Sequence, residues 1–446
     1  MNDLNIIVGD CREEMAKLPE QSVQCVVTSP PYWGQRDYGT ADFIGGNDPE
    51  CDHIAPVNRR AAGFNKRYHG KEFATDKQGE TPGAYTGKCG KCGAVRSSAG
   101  IGLEPDVHEW IDSMVEVFRG VWRVLRDDGT VWLNLGDKYA GSGGASAASQ
   151  RFRVPDSKSK QASNHGARST PEVTVDGLKQ KDLIGLPWRM AFALQADGWY
   201  LRRDIIWHKP NPMPESATDR PSTAHEYIFL LTKQPHYFYD SDAVKNPVKQ
   251  DWGTRNRTDG KYHNEGSGLT PHSGLEKSYT TGNMRSVWKI ATQPFGGAHY
   301  ATYPEKLVEP CIKAGSSERG ECPACGAPWE RVVHQERIRE RTPSDNHAVG
   351  NFQSVSDVGN RKTAPLTLGW QPTCDHKREP IPQTVLDPFS GAGTTGLVAM
   401  KLGRSYTGIE LNPEYAAMSR KRIVERVGAT SPDALKPDEQ AQGRLI

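Results

Sequence analysis

Val385-Leu386-Asp387-Pro388-Phe389-Ser390-Gly391-Ala392-Gly393-Thr394-Thr395-Gly396 reads as a buried strand running into a glycine-rich turn and then a helix from Leu397 to Leu402. Gly391, Gly393 and Gly396 have the spacing of the dinucleotide fingerprint, in which glycines make a tight turn and let the backbone approach a ligand. Tyr406-Thr407-Gly408-Ile409-Glu410 supplies a second strand that ends in an acid able to hold ribose hydroxyls. Strand, helix and strand predict an α/β sheet. Little chain follows Glu410, so the sheet begun here must be completed by strands from earlier in the sequence. An NAD-dependent oxidoreductase would share the glycine pattern.

Such a strand occurs near the start. Val23-Gln24-Cys25-Val26-Val27 is followed by Thr28-Ser29-Pro30-Pro31-Tyr32-Trp33, where two prolines forbid both further ladder bonding and an immediate helix. At such a corner the Pro30 carbonyl and the Ser29 hydroxyl can point outward as acceptors, with the flat faces of Tyr32 and Trp33 beside them. That suits a planar group carrying an NH₂; an ordinary strand-ending turn is the alternative.

The two motifs together, in this order, resemble the cofactor and catalytic motifs of the S-adenosylmethionine-dependent DNA amino-methyltransferases, and specifically the permuted β group. The resemblance covers most of the chain apart from two insertions and the tail. It implies a Rossmann-like, doubly wound methyltransferase sheet in circularly permuted order. It implies catalysis by Ser29, Pro30, Pro31 and Tyr32, and S-adenosylmethionine held by Asp387, Phe389, Gly391, Gly393, Thr394, Thr395, Glu410 and Asn412. Asp10 would lie against the adenine, with a helix cap as its other reading. Tyr300 and Thr302 belong to a segment that closes over the methionine part. The implied partner is double-stranded DNA, with a companion restriction endonuclease acting separately. Ser29, where many adenine-modifying relatives have Asp, points to the N4 amine of cytosine, although the N6 amine of adenine needs the same geometry. RNA or protein amides are further acceptors served by related tetrapeptides.

The chemistry fits these residues. An exocyclic amine is a poor nucleophile facing a strong sulfonium electrophile, so alignment by two acceptors is what an enzyme must add. The base has to be flipped from the duplex, with Tyr32 stacking on it. No cysteine nucleophile is needed, which argues against methylation at ring carbon.

Eight residues outside these motifs have metal-ligand spacing. Cys51-Asp52-His53 precedes Cys89-Gly90-Lys91-Cys92, and Cys322-Pro323-Ala324-Cys325 precedes Cys374-Asp375-His376, so the same two half-sites occur twice in reversed order. Each set of three thiolates and one imidazole predicts a closed tetrahedral zinc site. Pairing within each insertion closes the shorter loops, and exchange between insertions stays open. A non-catalytic zinc-ribbon nucleic-acid binder would explain these cysteines alone. Cys11, Cys25 and Cys311 are left as buried thiols.

The 446 residues leave room for two or three domains, and 56 basic against 54 acidic residues do not announce nucleic acid, so any basic surface must be local. No apolar run approaches a membrane span and Met1-Asn2-Asp3-Leu4 has no signal-peptide character, so a cytoplasmic location is expected. The expected organisation is core 1–38 with the proline corner, zinc insertion 39–105, and core 106–240 with a mobile basic loop at 141–180. A target-recognition region at 241–285, core 286–315, zinc insertion 316–380, cofactor-binding core 381–428 and a disordered tail 429–446 follow. Within the core, Trp110, Met114, Val117, Phe118, Val121, Trp122 and Leu125 recur at helical spacing, with Asp127-Asp128-Gly129 ending that helix. Arg151, Arg153, Lys158, Lys160 and Arg168 in the loop, and Arg255, Arg257, Lys261, His263 and Lys277 in the recognition region, are candidates for DNA contact.

Overall fold

The computed structural model describes residues 2–33, 43–48, 50–51, 89–96, 101–104, 106–141, 177–247, 278–279, 281–293, 302–339 and 361–428. His53, Tyr300, the ten candidate DNA-contacting basic residues and the tail from 429 lie outside them.

In chain order the elements are β1 (Leu4–Val8), α1 (Cys11–Lys17), β2 (Val23–Thr28), β3 (Phe43–Ile44), β4 (Val95–Arg96), α2 (Val107–Val124), β5 (Leu125–Leu135) and α3 (Leu186–Ala196). Next come β6 (Tyr200–His208), β7 (His225–Thr232), β8 (Asn246–Pro247), β9 (Ser278–Tyr279), β10 (Thr281–Gly282), β11 (Val287–Lys289) and α4 (Glu305–Gly315). The chain then forms β12 (Trp329–Arg339), β13 (Arg361–Pro372), β14 (Thr384–Asp387), α5 (Thr394–Lys401), β15 (Ser405–Glu410) and α6 (Pro413–Val427).

Eight strands form one sheet in the order β1-β15-β14-β2-β5-β7-β6-β11. The first five are parallel, and β7 runs antiparallel between β5 and β6. The strand that leads into the glycine turn thus lies in the interior, between β15 and β2, although it is supplied near the end of the chain. Strands buried on both faces need apolar residues throughout, and β2 is buried at all six positions.

Helices cover both faces. On one side Trp110, Met114, Phe118 and Val121 of α2 pack with Met15 of α1 and Met190 and Leu194 of α3. On the other, Leu307, Val308 and Ile312 of α4 pack with Leu397 of α5 and Ile423 of α6. The expected doubly wound layering is therefore present. The helix α2 ends earlier than Asp127-Asp128-Gly129 would suggest: Leu125 is already its C-cap, and Leu125 to Gly129 run extended against β2 with a register shift. A side chain at Gly129 would meet Leu125 at 2.6 Å, so glycine lets this strand start close to the core. The helix after the glycine turn starts at Thr394, ahead of the expected Leu397, because left-handed Gly393 (φ 69°) serves as its N-cap.

The regions expected at 241–285 and 316–380 share a small sheet. β9, from the recognition region, pairs with β13, from the zinc insertion, in a sheet of order β12-β13-β9. Val244, just inside that region, is buried in the main core. Among the described residues no helix is long and apolar enough to cross a membrane.

Gly396 is packed so closely that an added Cβ would stand 2.4 Å from the Tyr406 ring and 2.8 Å from Ile423, both fully buried. Gly396→Ala is expected to lower unfolding free energy by about 1–3 kcal/mol, measured by urea denaturation.

Candidate active site

The C-terminal ends of β2 and β14 are joined directly. Val385 and Leu386 register with Cys25 and Val26, and beyond this pairing Thr28 donates its hydroxyl proton to Asp387 Oδ1 at 2.7 Å. Asp387 is almost fully buried and carries no ionic partner within salt-bridge reach among the described residues. Its carboxylate also accepts from the Phe389 backbone N–H at 3.1 Å and from the Tyr303 hydroxyl at 3.1 Å. Burial pushes the Asp387 carboxyl above its usual range, against the pull of these donors. Tyr303, whose hydroxyl also bonds Thr395, is pushed up by the same burial and by the Asp387 charge.

The glycine turn is held from both sides. Glu410, at the end of β15, accepts the Gly391 N–H at 2.8 Å with one oxygen and the Asn412 N–H at 3.0 Å with the other. Burial raises its carboxyl as well. Arg422 of α6 donates to the Ala392 carbonyl at 2.7 Å and to Thr394 Oγ1 at 3.0 Å, and Thr395 Oγ1 donates to the Val27 carbonyl at 3.1 Å. Gly391 and Gly393 both have positive φ, as the turn demands.

Two residues with expected cofactor roles sit at helix starts. Asp10 caps α1 by accepting the Arg12 N–H at 2.8 Å and is ion-paired to the Arg12 guanidinium at 2.6 Å, which lowers its pKa. Asn412 caps α6 through Glu414 N–H at 2.8 Å. Thr302 lies just ahead of α4.

At the proline corner, Ser29 and Tyr32 form part of a hydrogen-bond cluster. Ser29 donates to the Tyr32 hydroxyl at 3.1 Å, and Tyr32 donates to Glu226 Oε2 at 3.1 Å. The Asn134 amide nitrogen reaches Tyr32 at 2.8 Å, Glu226 at 3.0 Å and Ser29 at 3.4 Å. Lys209, stacked over the Trp207 ring at 4.3 Å, is ion-paired with the other oxygen of Glu226. The amide of Asn134 cannot be flipped without turning its oxygen toward the Glu226 carboxylate, so Asn134 Oδ1 points away and has no donor among the described residues. A small cavity lined by Asn134, Thr28, Val27, Ile228 and Tyr303 adjoins it.

The expectation for Trp33 is corrected: it offers no face to a ligand. It is 2% exposed in the core and donates its indole N–H to the Glu104 carbonyl at 2.8 Å. A large apolar ring beside a strand end is worth more buried than exposed. The Pro31 carbonyl accepts from Trp110 Nε1 at 3.1 Å.

Thr28, Asn134, Glu226, Lys209 and Tyr303 were not among the candidate site residues. The available signal was polar side chains within or at the ends of strands that read as buried, such as Asn134 between Leu133 and Leu135.

Both cysteine sets converge. Cys322, Cys325, Cys374 and His376 each bring one ligand atom within 4.8 Å of the others, as do Cys51, Cys89 and Cys92. The two Cys-x-x-Cys turns are built alike. Gly93 N–H donates to the Cys89 carbonyl at 2.9 Å and Gly326 N–H to the Cys322 carbonyl at 2.7 Å, each glycine with positive φ.

A family model described as DNA methylase matches residues 23–322 and 379–421, a span that takes in both the proline corner and the glycine turn. The chain belongs to this DNA methylase family of amino-methyltransferases. Its relatives include the Type II methyltransferase M.SmaI of Serratia marcescens, 33% identical over 96% of this chain and 92% of the relative. The Type II methyltransferase M.Cfr9I of Citrobacter freundii is 33% identical over 95% of this chain and 88% of its own. Among solved structures, the cytosine-N4-specific PvuII DNA methyltransferase aligns over 96% of this chain and 92% of its own, at 15% identity and a TM-score of 0.44.

In this DNA methylase, Thr28→Val keeps the shape of the side chain but takes a hydrogen bond from a buried carboxylate. Unfolding free energy is expected to fall by about 1–3 kcal/mol, read from urea denaturation.

Proposed function

We propose that this protein transfers the methyl group of S-adenosylmethionine to the exocyclic N4 amine of a flipped cytosine in double-stranded DNA. The observation that carries the reading is the 2.7 Å contact between Thr28 and Asp387, which sets the glycine turn beside the Ser-Pro-Pro-Tyr corner. Family membership supplies the reaction class, and the serine at the head of the corner favours cytosine. The order in which the chain delivers β2 and β14 to neighbouring positions supports a circularly permuted methyltransferase sheet.

In this reading Asp387, Phe389, Gly391, Gly393, Thr394, Thr395 and Glu410 form the cofactor cradle, whose bound S-adenosylmethionine supplies an electrophilic methyl group. Ser29 Oγ and the Pro30 carbonyl accept the two amine N–H bonds and turn the nitrogen lone pair toward that methyl. Tyr32 stacks on the base. Cys25 takes no part: it lies in the core on the sheet, with its thiol pushed up to about 12 by burial.

Incubation with labelled S-adenosylmethionine and unmodified genomic DNA, followed by nucleoside analysis, is expected to yield N4-methylcytosine. N6-methyladenine would assign the alternative amine, and no label in DNA would end the reading. Ser29→Ala and Tyr32→Ala are each expected to lower kcat by roughly 100-fold. Cofactor affinity in these variants should stay within about two-fold of wild type, because the hydrogen bonds that Ser29 and Tyr32 make to each other, Asn134 and Glu226 are separate from those that hold the glycine turn.

We also propose two structural zinc ions, one on Cys322, Cys325, Cys374 and His376 and one on Cys51, Cys89, Cys92 and His53. The donor sets suit zinc, and each would lock its insertion as a closed tetrahedral site. Metal analysis is expected to find two zinc ions per chain, with Cys92→Ser and Cys325→Ser each losing one. Wild-type protein free of zinc would dispose of the assignment.

A further inference from the structure

A serine hydroxyl can either donate or accept, and the reading above requires Ser29 to accept from an amine. Nothing in a Ser-Pro-Pro-Tyr tetrapeptide fixes that choice. The surrounding cluster does. We infer that Glu226, acting through Tyr32, sets the direction of the Ser29 hydroxyl so that its lone pairs face the target amine; this rests on the proposed methyl transfer.

The direction follows from the donor inventory. The Glu226 carboxylate is ion-paired with Lys209 and accepts only. Tyr32, with one hydroxyl proton, spends it on Glu226 Oε2 at 3.1 Å. Its oxygen then accepts, among the described residues, from Asn134 Nδ2 at 2.8 Å and Ser29 at 3.1 Å. The Ser29 proton is thereby committed to Tyr32, and what Ser29 offers outward is acceptor density. Asn134 reinforces the arrangement, because its amide can present only N–H to Tyr32 and Glu226 together. The chain Ser29 to Tyr32 to Glu226 links the corner to the start of β7, and both members of the Lys209–Glu226 ion pair are mostly buried, with side-chain exposures of 18% for Lys209 and 20% for Glu226.

Glu226 is accordingly a positioning residue, and Lys209 holds it. Without the acceptor at position 226, the Tyr32 proton is released to point at Ser29, and Ser29 can then donate toward an amine that has no use for a donor. Binding of cofactor and of DNA does not depend on this choice, so the loss falls on kcat.

The test uses the full chain with labelled S-adenosylmethionine and unmodified genomic DNA. Glu226→Met, of similar length and without an acceptor, is expected to lower kcat about 10- to 100-fold. KM for DNA and cofactor affinity should remain within about two-fold. Glu226→Gln, whose amide oxygen still accepts, should recover most of the loss. Tyr32→Phe keeps the ring and breaks the chain, so it should lower kcat similarly, and the Tyr32→Phe/Glu226→Met double variant should be no worse than the poorer single variant. Wild-type kcat in Glu226→Met, or losses that multiply in the double variant, would overturn the inference. Should Glu226→Met fail to fold, Tyr32→Phe at wild-type kcat overturns it on its own. A wild-type protein that transfers no label would instead count against the proposed function, which keeps the two failures apart.

Discussion

The hydrogen bond from Thr28 to Asp387 joins residues 359 positions apart, and the rest of the site depends on it. Thr28 is the last residue of β2 and Asp387 the last of β14, so the bond fixes where each strand stops relative to the other. Everything after Thr28 is the proline corner, and everything after Asp387 is the glycine turn. The polar contact sits in a buried environment, where an unpaired partner would be costly, and this makes the relative height of the two loops a sharply defined quantity. Tyr303 extends the constraint to α4 by donating to the other oxygen of the same carboxylate. Three parts of the chain therefore meet at one side chain.

Much of this architecture is legible in sequence because it depends on local rules. Prolines at 30 and 31 must end a strand, and glycines at 391 and 393 must make a turn with positive φ, which they do. The helical stripe from Trp110 to Val121 faces the core as its spacing requires. The misread points are those where a long-range contact overrides the local signal. Trp33 looks like a ligand face in a tetrapeptide context, but its indole finds the Glu104 carbonyl 71 residues away. Asp127-Asp128-Gly129 looks like a helix stop, yet parallel pairing with β2 draws the strand back to Leu125. Glu226 and Asn134 show in sequence only as polar residues within or at the ends of buried strands: their meaning arises where β5, β7 and the corner converge, a juxtaposition no spacing rule encodes.

The two cysteine clusters stand in different relations to the sheet. Cys325 is tied to the strand starts: its carbonyl accepts from Arg126 at 3.4 Å, and Glu321, just ahead of Cys322, is reached by Gln383, which also donates to Gln24 at 3.0 Å. That cluster thus braces the end of the sheet away from the proline corner. The residues that follow the other cluster lie against the corner, since a side chain at Gly102 would meet Pro31 at 3.1 Å, and Glu104 receives the Trp33 indole. One insertion therefore supports the scaffold from behind, whereas the other leads into the wall beside Ser29 and Tyr32.

Two carboxylates flank the site, and their environments differ in kind. Asp387 is buried among hydroxyls and a backbone N–H, with burial raising its pKa, so its function is geometric: it is held by donors that have fixed positions in the fold. Glu226 faces an ammonium and an amide, and its partners Tyr32 and Ser29 are the groups expected to meet a ligand. A carboxylate held by fixed hydroxyls can hold two strands in register, but it cannot also direct a hydroxyl whose proton it does not receive through a neighbour. A carboxylate paired with Lys209 has an acceptor oxygen to spare for Tyr32, and through Tyr32 it reaches Ser29. The division of labour between the two acids follows from which donors surround each: Asp387 sets the spacing of the loops, and Glu226 sets the direction of the hydrogen bonds within the space they enclose.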